Sequence, residues 1–474
     1  MRGSASRTPA GIPSCNLVAH DLTVMVRASE TCCQLSRFLI QEMPGDANEC
    51  QLGGAEAGIQ RRECEFDRND SIMTLRRRSF LISAASAAVL RGAPSDQINL
   101  GLIGSGSRGT FVMTVFQKEA GLRVGAVCDV YEPNLERALS TAAQGQGGVT
   151  AKAYRNYRQL LDDKSIDAVL IATPEHWHAK MVLDALAAGK DVYVEKPLCR
   201  TPEEGVTLMD AERKSKNIVQ VGMQRRSYDL YLQGRDLIAE GKLGTVRMVR
   251  SWWLNNYLGN AGPGAAKLDG PLDWEQWQGP IEKRIPVNPY LFRNWRNFSD
   301  YAGGIIADQG AHVFDGIHLL MGAGFPLAVT AAAGKPHKEG YDTPESVVAT
   351  AEYPEDFIGT FSLNYAAMKY KSRYDQMNHL DGDAARMDIG RESLRIFAQG
   401  EEETPAIERK SERGFGYATV LHVRNFLECV RSRKTPTATM ALAFQAALVS
   451  QLANLSLRHG KRMKWNAEAR RVES

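Results

Sequence analysis

The sequence lacks the cysteine spacing of a zinc site or of a disulfide framework. Of its eight cysteines, five lie before residue 65, and Cys128, Cys199 and Cys429 are far apart, with no Cys-x-x-Cys pair. A zinc site needs ligands at short intervals, and disulfide frameworks are typical of small secreted domains. We therefore expect no metal site, and we interpret the three later cysteines as small buried residues.

The sequence also lacks an excess of charge of one sign and a long apolar run. It carries 58 Lys and Arg against 55 Asp and Glu in 474 residues, for a formal net charge of +3. Proteins that bind nucleic acid use a broad basic field to release counterions, so nucleic acid is not an expected partner. No uninterrupted apolar run reaches the roughly 18 residues of a spanning helix, so no membrane span is expected.

The first part of the chain has no regular pattern until a basic and apolar segment begins at Met73. Residues 1–72 show no sustained periodicity, and we predict that they are disordered or an extension upstream of the true start. Arg77-Arg78-Ser79-Phe80-Leu81 then precedes a small apolar run and resembles a twin-arginine export motif. Residues 73–97 are therefore predicted to be a twin-arginine-like signal, and the protein to be periplasmic or exported. A helix in a cytoplasmic protein is the alternative.

A glycine-rich turn follows the first strand-like run, Ile98 to Ile103. The turn reads Gly104-Ser105-Gly106-Ser107-Arg108-Gly109, and apolar residues recur at helical spacing after it. This is G-x-G-x-x-G in the strand, turn and helix context of a dinucleotide site. In that context Gly104 permits the tight turn, Gly106 lets the backbone approach the pyrophosphate, and Gly109 lets helix and strand pack closely.

Polar residues near this turn indicate which dinucleotide binds. Ser107 and Arg108 open the helix, whose free N–H groups can bind phosphate. Asp129 ends the next strand, 20 residues beyond Gly109. A carboxylate at this offset accepts hydrogen bonds from the adenosine ribose and repels a 2′-phosphate. NAD is the expected cofactor, although Arg108 and Arg137 leave NADP open.

The alternation of strands and helices continues to residue 222, which predicts a Rossmann domain over residues 98–222. Ligands of such sheets bind beyond the carboxyl ends of the strands. His178, near the start of a helix, is expected beside the nicotinamide. The other candidate cofactor contacts at strand ends are Thr173, Pro174, Glu195, Lys196 and Gln224.

Five motifs together resemble the Gfo/Idh/MocA oxidoreductase family, typified by glucose-fructose oxidoreductase and inositol dehydrogenase. They are the glycine turn, Thr173-Pro174-Glu175-His176-Trp177-His178, Glu195-Lys196-Pro197, Val221-Gly222-Met223-Gln224-Arg225, and Gly303-Gly304 with Asp308-Gln309-Gly310-Ala311-His312. The resemblance implies an α/β protein: a Rossmann fold, then an α+β domain over residues 223–474 with a large, mainly antiparallel open sheet used for homo-oligomer contacts. It also implies an NAD(P)-dependent oxidoreductase for a sugar, cyclitol or sugar derivative. Glu175 departs from the Asn that many members have.

The sequence beyond residue 224 agrees with such a sheet. Strands are predicted over 245–254, 327–333, 346–353, 357–365 and 393–397. A long apolar helix over 439–459, stopped by Gly460, is predicted to pack back on the Rossmann domain. Four tryptophans are interpreted as core or interface packing: Trp252, Trp253, Trp274 and Trp277.

The resemblance places Lys196, Asp308 and His312 around the carbon that is oxidised. Oxidation of a secondary alcohol needs a group that takes the hydroxyl proton as the carbon loses its hydride. Asp308 and His312 are four residues apart in a predicted helix, so the carboxylate is expected beside the imidazole and can tune its proton affinity. Lys196 can donate to the substrate oxygen. Further candidate substrate contacts are Arg225, Trp295 and Arg296.

Two other functions remain open at this point. Some relatives of the family oxidise a sugar carbon, eliminate the aglycone and return the hydride, as redox-neutral NAD-dependent glycoside hydrolases or lyases. An inactive binding protein would keep the fold, but the intact set of Lys196, Asp308 and His312 argues against it. An exported enzyme would meet little free NAD(H), so the cofactor is expected to be tightly bound before export.

Overall fold

A computed structural model describes residues 97–256 and 263–473 of the chain. The segments predicted over residues 1–72 and 73–97 lie outside the described residues, apart from Gln97. All described residues fall within one compact unit of the chain.

A six-stranded parallel sheet with helices on both faces forms the first half of this unit. Its strands are β1 (Ile98–Ile103), β2 (Leu122–Cys128), β3 (Lys152–Tyr154), β4 (Ala168–Ile171), β5 (Asp191–Val194) and β6 (Val219–Val221). Its helices are α1 (Ser107–Phe116), α2 (Glu132–Gly145), α3 (Tyr157–Asp162), α4 (Glu175–Ala187) and α5 (Pro202–Lys214). Central strands such as β4 are apolar throughout because both faces are covered. The predicted Rossmann fold is confirmed.

The strand order of this sheet is β3-β2-β1-β4-β5-β6. The chain therefore moves in one direction from β1 and in the other from β4, and a crevice opens at the carboxyl ends of the strands at such a reversal. The glycine turn follows β1, Asp129 follows β2, and Thr173 follows β4. The topology thus brings the predicted cofactor residues to one edge of the sheet.

A ten-stranded sheet dominates the second half, in the order β14-β13-β12-β11-β7-β10-β9-β8-β15-β16. Its strands are β7 (Val246–Leu254), β8 (Ala328–Ala333), β9 (Ser346–Glu352), β10 (Ile358–Asn364), β11 (Gln376–Gly382), β12 (Ala385–Gly390), β13 (Ser393–Ala398), β14 (Ile407–Lys410), β15 (Met463–Asn466) and β16 (Arg471–Glu473). β10 runs parallel to β7, and the other pairs whose register is resolved are antiparallel. The predicted, mainly antiparallel sheet is confirmed.

Helices α6 (Asp229–Ala239), α9 (Gly304–Met321) and α11 (Met440–His459) pack on the ten-stranded sheet. The other helices of this half are α7 (Trp274–Gln278), α8 (Pro289–Asn294) and α10 (Tyr417–Ser432). α11 lies against α9 and also against α5, where a Cβ atom at Gly205 would fall 2.1 Å from the Phe444 ring. By length and composition alone α11 could cross a membrane, but 67% of its apolar window is buried, as in a core helix.

Helix α10 also returns to the Rossmann domain, which the sequence did not indicate. Its Phe426 packs edge-on against Phe116 of α1 and Tyr193 of β5, with ring centroids 5.9 and 5.8 Å apart. Edge-to-face contacts of this kind stabilise the packing beyond what burial of the ring area contributes. Helix α10 therefore packs on one face of the Rossmann sheet.

Residues 269–301 form a separate layer, which we call the covering segment. It contains α7 and α8 and has its own apolar cluster. Trp274 and Trp277 stack with centroids 4.6 Å apart, and Tyr301 is buried beside them. Val130, directly after the end of β2, packs against this cluster. The covering segment thus lies over the edge of the Rossmann sheet where the candidate site is.

Candidate functional site

The glycine turn has the geometry of a phosphate-binding loop. Gly104 has φ +86°, and a Cβ atom there would lie 2.8 Å from the backbone of Ala172 and Thr173. A Cβ atom at Gly109 would lie 2.1 Å from the carbonyl oxygen of Gly104. Among the described residues nothing lies within 4 Å of the corresponding position at Gly106, the N-cap of α1. The open helix N-terminus therefore fits a pyrophosphate group.

Asp129 stands beside this turn at the cavity wall. Its carboxylate accepts hydrogen bonds from the backbone N–H of Ser105 at 2.7 Å, the Ser105 hydroxyl at 3.0 Å and the backbone N–H of Tyr131 at 2.9 Å. Burial raises the pKa of Asp129, and these hydrogen bonds oppose that rise. Asp129 therefore shapes the turn in addition to its predicted role toward the ribose, which stays a prediction.

Two predicted cofactor residues join the glycine turn to the end of β5. The Nε atom of Arg108 donates to Oε1 of Glu195 at 2.8 Å. The Arg108 side chain is one-third exposed and lines the cavity, whereas Glu195 is buried. The pair links the glycine turn after β1 to the end of β5, across the end of β4.

The prediction that His178 lies beside the nicotinamide needs correction. Its ring is buried behind the wall, with Nδ1 2.6 Å from the carbonyl oxygen of Pro197 and Nε2 2.8 Å from that of Thr173. Burial lowers its pKa, which favours the neutral ring. His178 therefore ties the Thr173-Pro174 turn to Pro197, while Thr173 and Pro174 themselves line the cavity.

Lys196, Asp308 and His312 meet at the end of the cavity opposite Asp129. The Nζ atom of Lys196 donates to Oδ1 of Asp308 at 2.7 Å and to its carbonyl oxygen at 2.8 Å. Nε of Arg296 also donates to Oδ1 of Asp308, at 3.3 Å. Asp308 and His312 lie on α9 and both line the cavity. The expected convergence of these three residues is thus present in the structure.

The protonation states of these residues follow from burial and neighbouring charge. Burial opposes ionisation of Asp308, but Lys196 and Arg296 outweigh it and hold its pKa well below the usual range. Burial, together with the positive charges of Lys196 and Arg225, holds the pKa of His312 well below its usual value. The hydrogen bonds of the carboxylate go to Lys196 and Arg296, while its charge raises the pKa of His312 as expected, though by less than burial lowers it. At neutral pH, Asp308 is a carboxylate and His312 an uncharged imidazole.

The candidate substrate contacts fall into two groups. Trp295 and Arg296 line the cavity, as does the predicted cofactor residue Gln224, and the Arg296 guanidinium stacks on the Trp295 ring at 4.2 Å. Arg225 lies behind the wall instead, where it donates to the hydroxyl of Tyr231 at 3.2 Å and to the carbonyl oxygen of His312 at 3.3 Å. The prediction that Arg225 contacts substrate is therefore corrected: it supports the wall and adds positive charge behind His312.

Several lining residues escaped the sequence analysis. Trp253 and Trp277 were interpreted as packing residues, but both line the cavity. Gln376, Arg391 and Phe415 line it as well. Gln376 on β11 is the register partner of Trp253 on β7, so these side chains meet only because those two strands pair. A local sequence pattern could not have identified them.

The cavity encloses about 670 Å³ and runs from Asp129 to His312. Some of its lining side chains have a buried polar atom that lacks a hydrogen-bond partner among the described residues: Gln224 Oε1, Trp253 Nε1, His312 Nδ1 and Arg391 Nε. Buried polar groups are normally paired, so these atoms are exceptions within the cavity wall. A larger cavity of about 1010 Å³ lies between the start of α5 and the end of α11, away from this chemistry.

Two family domains match the described chain almost end to end. Residues 98–223 match the NAD-binding Rossmann fold of an oxidoreductase family, and residues 235–465 match the C-terminal alpha/beta domain of the same family. In residues 97–256 and 263–473, no group of three or more His, Cys, Asp or Glu side chains could hold a metal ion. The cofactor of this domain type is NAD.

Individual relatives match over shorter stretches. Inositol 2-dehydrogenase 2 of Saccharopolyspora erythraea is 34% identical over 186 residues, which cover 38% of this chain and 53% of that protein. Glycosyl hydrolase family 109 protein 1 of Shewanella sp. is 36% identical over 126 residues, which cover 26% of this chain and 28% of that protein. The chain thus spans about half, or less, of the length of these relatives.

Solved structures share the fold at low sequence identity. Levoglucosan dehydrogenase, in complex with NADH and levoglucosan, has a TM-score of 0.61 at 19% identity and covers 78% of this chain and 99% of its own. An oxidoreductase from Thermotoga maritima has a TM-score of 0.60 at 17% identity, with 78% and 98% covered. Both family domains are thus present in order, and the chain belongs to the Gfo/Idh/MocA oxidoreductase family.

Proposed function

We propose that this protein is an NAD-dependent oxidoreductase that oxidises a secondary alcohol of a sugar, cyclitol or sugar derivative. One observation carries the proposal: Lys196, Asp308 and a neutral His312 meet in the same cavity as the glycine turn. A dinucleotide site alone is compatible with many reactions. A proton-accepting group and a cationic donor at the far end of the same cavity can together remove a proton from a hydroxyl group.

The roles of the three residues follow from their states. The Lys196 ammonium group is oriented by Asp308 and can donate to the substrate oxygen, which stabilises developing negative charge there. His312 is uncharged and lines the cavity, so its ring can accept the hydroxyl proton. Asp308 remains ionised and holds Lys196 in place, so we assign it a positioning role.

The residues of the crevice fit a bound NAD. The open N-terminus of α1 would hold the pyrophosphate, Asp129 the adenosine ribose, and Thr173, Pro174 and Gln224 the nicotinamide end. Bound NAD supplies the hydride acceptor for the oxidation. NADP stays possible because Arg108 and Arg137 lie near Ser105, whose carbonyl oxygen accepts from Arg137.

The polar side chains of the cavity wall support a polyhydroxylated substrate. Gln224, Arg296 and Gln376 all line one space. A sugar or cyclitol presents both donors and acceptors, so it can pair with amide and guanidinium groups of this kind. The similarity to an inositol 2-dehydrogenase and to levoglucosan dehydrogenase agrees with this class.

The proposal is tested by incubating the protein with NAD and a panel of sugars, cyclitols and glycosides while absorbance of NADH is followed. We expect NADH to form with at least one member, and His312→Ala to abolish the signal with the same substrate. A panel that gives neither NADH nor any altered sugar by mass spectrometry would contradict the proposal.

The second candidate is a redox-neutral glycoside hydrolase or lyase that uses a transient keto-sugar. It is favoured by the similarity to a glycosyl hydrolase family 109 protein. In that case aryl glycosides would release their aglycone without net NADH. One experiment that records NADH and released aglycone together therefore distinguishes the two functions.

We further propose export by the twin-arginine route and homo-oligomer formation. Support for export is the Arg77-Arg78-Ser79-Phe80-Leu81 motif. Support for an oligomer is the uncovered face of the ten-stranded sheet, where Met248 and Val348 are exposed. Mass spectrometry of the native N-terminus tests the export proposal, which peptides from residues 1–72 would contradict. Light scattering tests the homo-oligomer, which a monomeric mass would contradict.

A further inference from the structure

The covering segment is attached to the Rossmann domain directly after β2. The backbone N–H of Asp273 donates to the carbonyl oxygen of Val130 at 2.9 Å, and that of Glu132 donates to Pro271 at 3.0 Å. Tyr131 and Leu272 form an antiparallel bridge between these bonds. This short ladder holds the covering segment beside Asp129, at the adenosine end of the crevice.

The Tyr131 side chain strengthens the same attachment. Its hydroxyl oxygen accepts from the backbone N–H of Asp269 at 2.9 Å and from Nη2 of Arg293 at 3.2 Å. Its ring packs against Phe292 with centroids 5.0 Å apart. Tyr131 is 1% exposed, and it stands outside the cavity wall, so its bonds serve the attachment itself.

A second attachment lies on the other side of the crevice, on α4. The carbonyl oxygen of Trp277 accepts from Nε1 of Trp177 at 3.0 Å and lies 2.9 Å from Nε2 of His176. The backbone N–H of His176 donates to the carbonyl oxygen of Tyr301 at 3.2 Å. Burial lowers the pKa of His176 to about 3, so the ring is neutral and donates from Nε2. Gly279, with φ +52°, allows the chain to pass close to the Trp177 ring.

These two attachments bracket the glycine turn. β2 and β4 flank β1 in the sheet, so a segment fixed after β2 and at α4 must cross the carboxyl end of β1. Six residues of the covering segment line the cavity beneath it: Gln276, Trp277, Phe292, Arg293, Trp295 and Arg296. A dinucleotide that extends from Asp129 to Lys196 would therefore pass under the covering segment.

We propose that the covering segment is a clasp, an additional cofactor-binding element that retains the dinucleotide from one turnover to the next. The clasp rests on the dinucleotide site of the proposed function. The attachments after β2 and at α4 are the contacts that retain the dinucleotide. Breaking one attachment would uncover the crevice above the ligand and ease its release. Loss of those hydrogen bonds therefore speeds release more than it changes the shape of the pocket.

The test uses variants that remove the bonds outside the cavity. Tyr131→Phe removes the hydroxyl that accepts two hydrogen bonds, and His176→Phe removes the Nε2 donor while keeping a ring there. Tyr193→Phe is the matched control, because the buried Tyr193 hydroxyl has no hydrogen-bond partner in the described part of the chain. NADH is loaded onto each purified protein, and its dissociation is followed by fluorescence after excess NAD is added.

We expect the double variant Tyr131→Phe/His176→Phe to release NADH about tenfold faster or more, since it loses three hydrogen bonds of ordinary strength. Tyr193→Phe should release NADH at the rate of the unaltered protein. A folded double variant with unchanged release would overturn the clasp. If the double variant releases NADH faster but the unaltered protein oxidises no sugar or cyclitol, the clasp proposal stands and the proposed function fails. If the unaltered protein oxidises a sugar or cyclitol but the double variant releases NADH at the unaltered rate, the proposed function stands and the clasp proposal fails.

A second measurement needs no substitution. Lys283 and Arg284 are exposed in the covering segment, and trypsin cleaves a folded segment mainly after local opening, so cleavage there reports detachment. Saturating NAD should slow this cleavage about tenfold or more, because binding favours the attached state by mass action. Cleavage after these residues at the same rate with and without NAD would overturn the proposal even if the double variant failed to fold.

Discussion

The Lys196 ammonium nitrogen lies 2.7 Å from Oδ1 of Asp308, although the two residues are 112 positions apart. The contact joins the end of β5 in the Rossmann domain to α9 in the second domain. The pair is mostly buried, with side-chain exposures of 13% and 11%. A buried pair with good geometry fixes the orientation of its members. The position of the proton-handling residues therefore depends on how the two domains are held together.

The first prediction concerns proton transfer. Lys196→Ala and His312→Ala should each lower turnover by about 100-fold or more, because each removes a group that acts on the hydroxyl proton or oxygen. NADH binding, measured by fluorescence titration, should remain. Near-normal turnover in either variant would remove that residue from the mechanism. Loss of NADH binding would mean that the substitution acts through the cofactor site instead.

The second prediction concerns the choice of dinucleotide. The unaltered protein should bind NAD more tightly than NADP, because a carboxylate repels the 2′-phosphate. Asp129→Ser should shift the ratio of the two affinities toward NADP by about tenfold, which narrows or reverses the preference. Asp129 also accepts hydrogen bonds from Ser105 and Tyr131, so Asp129→Ser can weaken the turn itself. Asp129→Asn is the control, since it removes the charge and keeps an acceptor. Equal affinities for NAD and NADP in the unaltered protein would rule out the assignment.

Most of the fold could be predicted from the sequence because its signals are local. Strand β1, the glycine turn and α1 are contiguous, and five strands of the second sheet were predicted within one or two residues of their observed ends. Other strands were not predicted. β11 and β12 contain Gln, Asn, His, Asp and Gly, and they are strands because they pair with β7 and with each other. Tertiary pairing of this kind overrides local propensity.

The site was predictable only where one motif carries it. The Asp308-x-x-x-His312 spacing and the lysine of Glu195-Lys196-Pro197 are visible in the sequence. Trp253 and Trp277 reach the cavity through strand register and through the fold of the covering segment, which no short pattern encodes. Arg225 was predicted to contact substrate because its motif lies at the site. Its side chain instead turns toward Tyr231 and the ring of Trp253.

The third prediction is that the protein purifies with its dinucleotide bound. The twin-arginine route carries folded proteins, so an exported enzyme would take up NAD before export and would lose it if it dissociated in each cycle. Denaturation of the purified protein should release NAD or NADH, identified by absorbance and mass. Turnover should then proceed without added NAD, provided that a second substrate reoxidises the cofactor or that the reaction is redox-neutral. A protein that is empty and depends wholly on added NAD would favour a cytoplasmic enzyme that exchanges its cofactor.

The fourth prediction concerns Glu175, the departure from the Asn of many family members. Its Oε2 atom accepts from the backbone N–H of Gly303 at 2.8 Å, at the N-terminus of the helix that carries Asp308 and His312. Its Oε1 atom is buried without a hydrogen-bond partner in the described chain. Burial raises the pKa of Glu175 to about 7, and the nearby Asp308 adds to the rise. The folded protein therefore keeps a proton here that the unfolded chain loses.

The sign of the pH effect follows from this raised pKa. Between the ordinary pKa of 4.5 and the folded value of about 7, the folded state binds more protons than the unfolded state, so the contribution of Glu175 to stability falls as pH rises. Glu175→Gln keeps an acceptor for Gly303 and cannot ionise. Its free energy of unfolding relative to the unaltered protein should rise by up to about 3 kcal/mol between pH 4.5 and 7 and then level off. Denaturant unfolding at several pH values measures this difference, with the exposed Glu355→Gln as a control whose difference stays flat. Parallel stability profiles for Glu175→Gln and the unaltered protein would show that Glu175 is ionised in the fold at all these pH values, and the buried carboxylate would then need a cationic partner closer than Lys196 or Arg296.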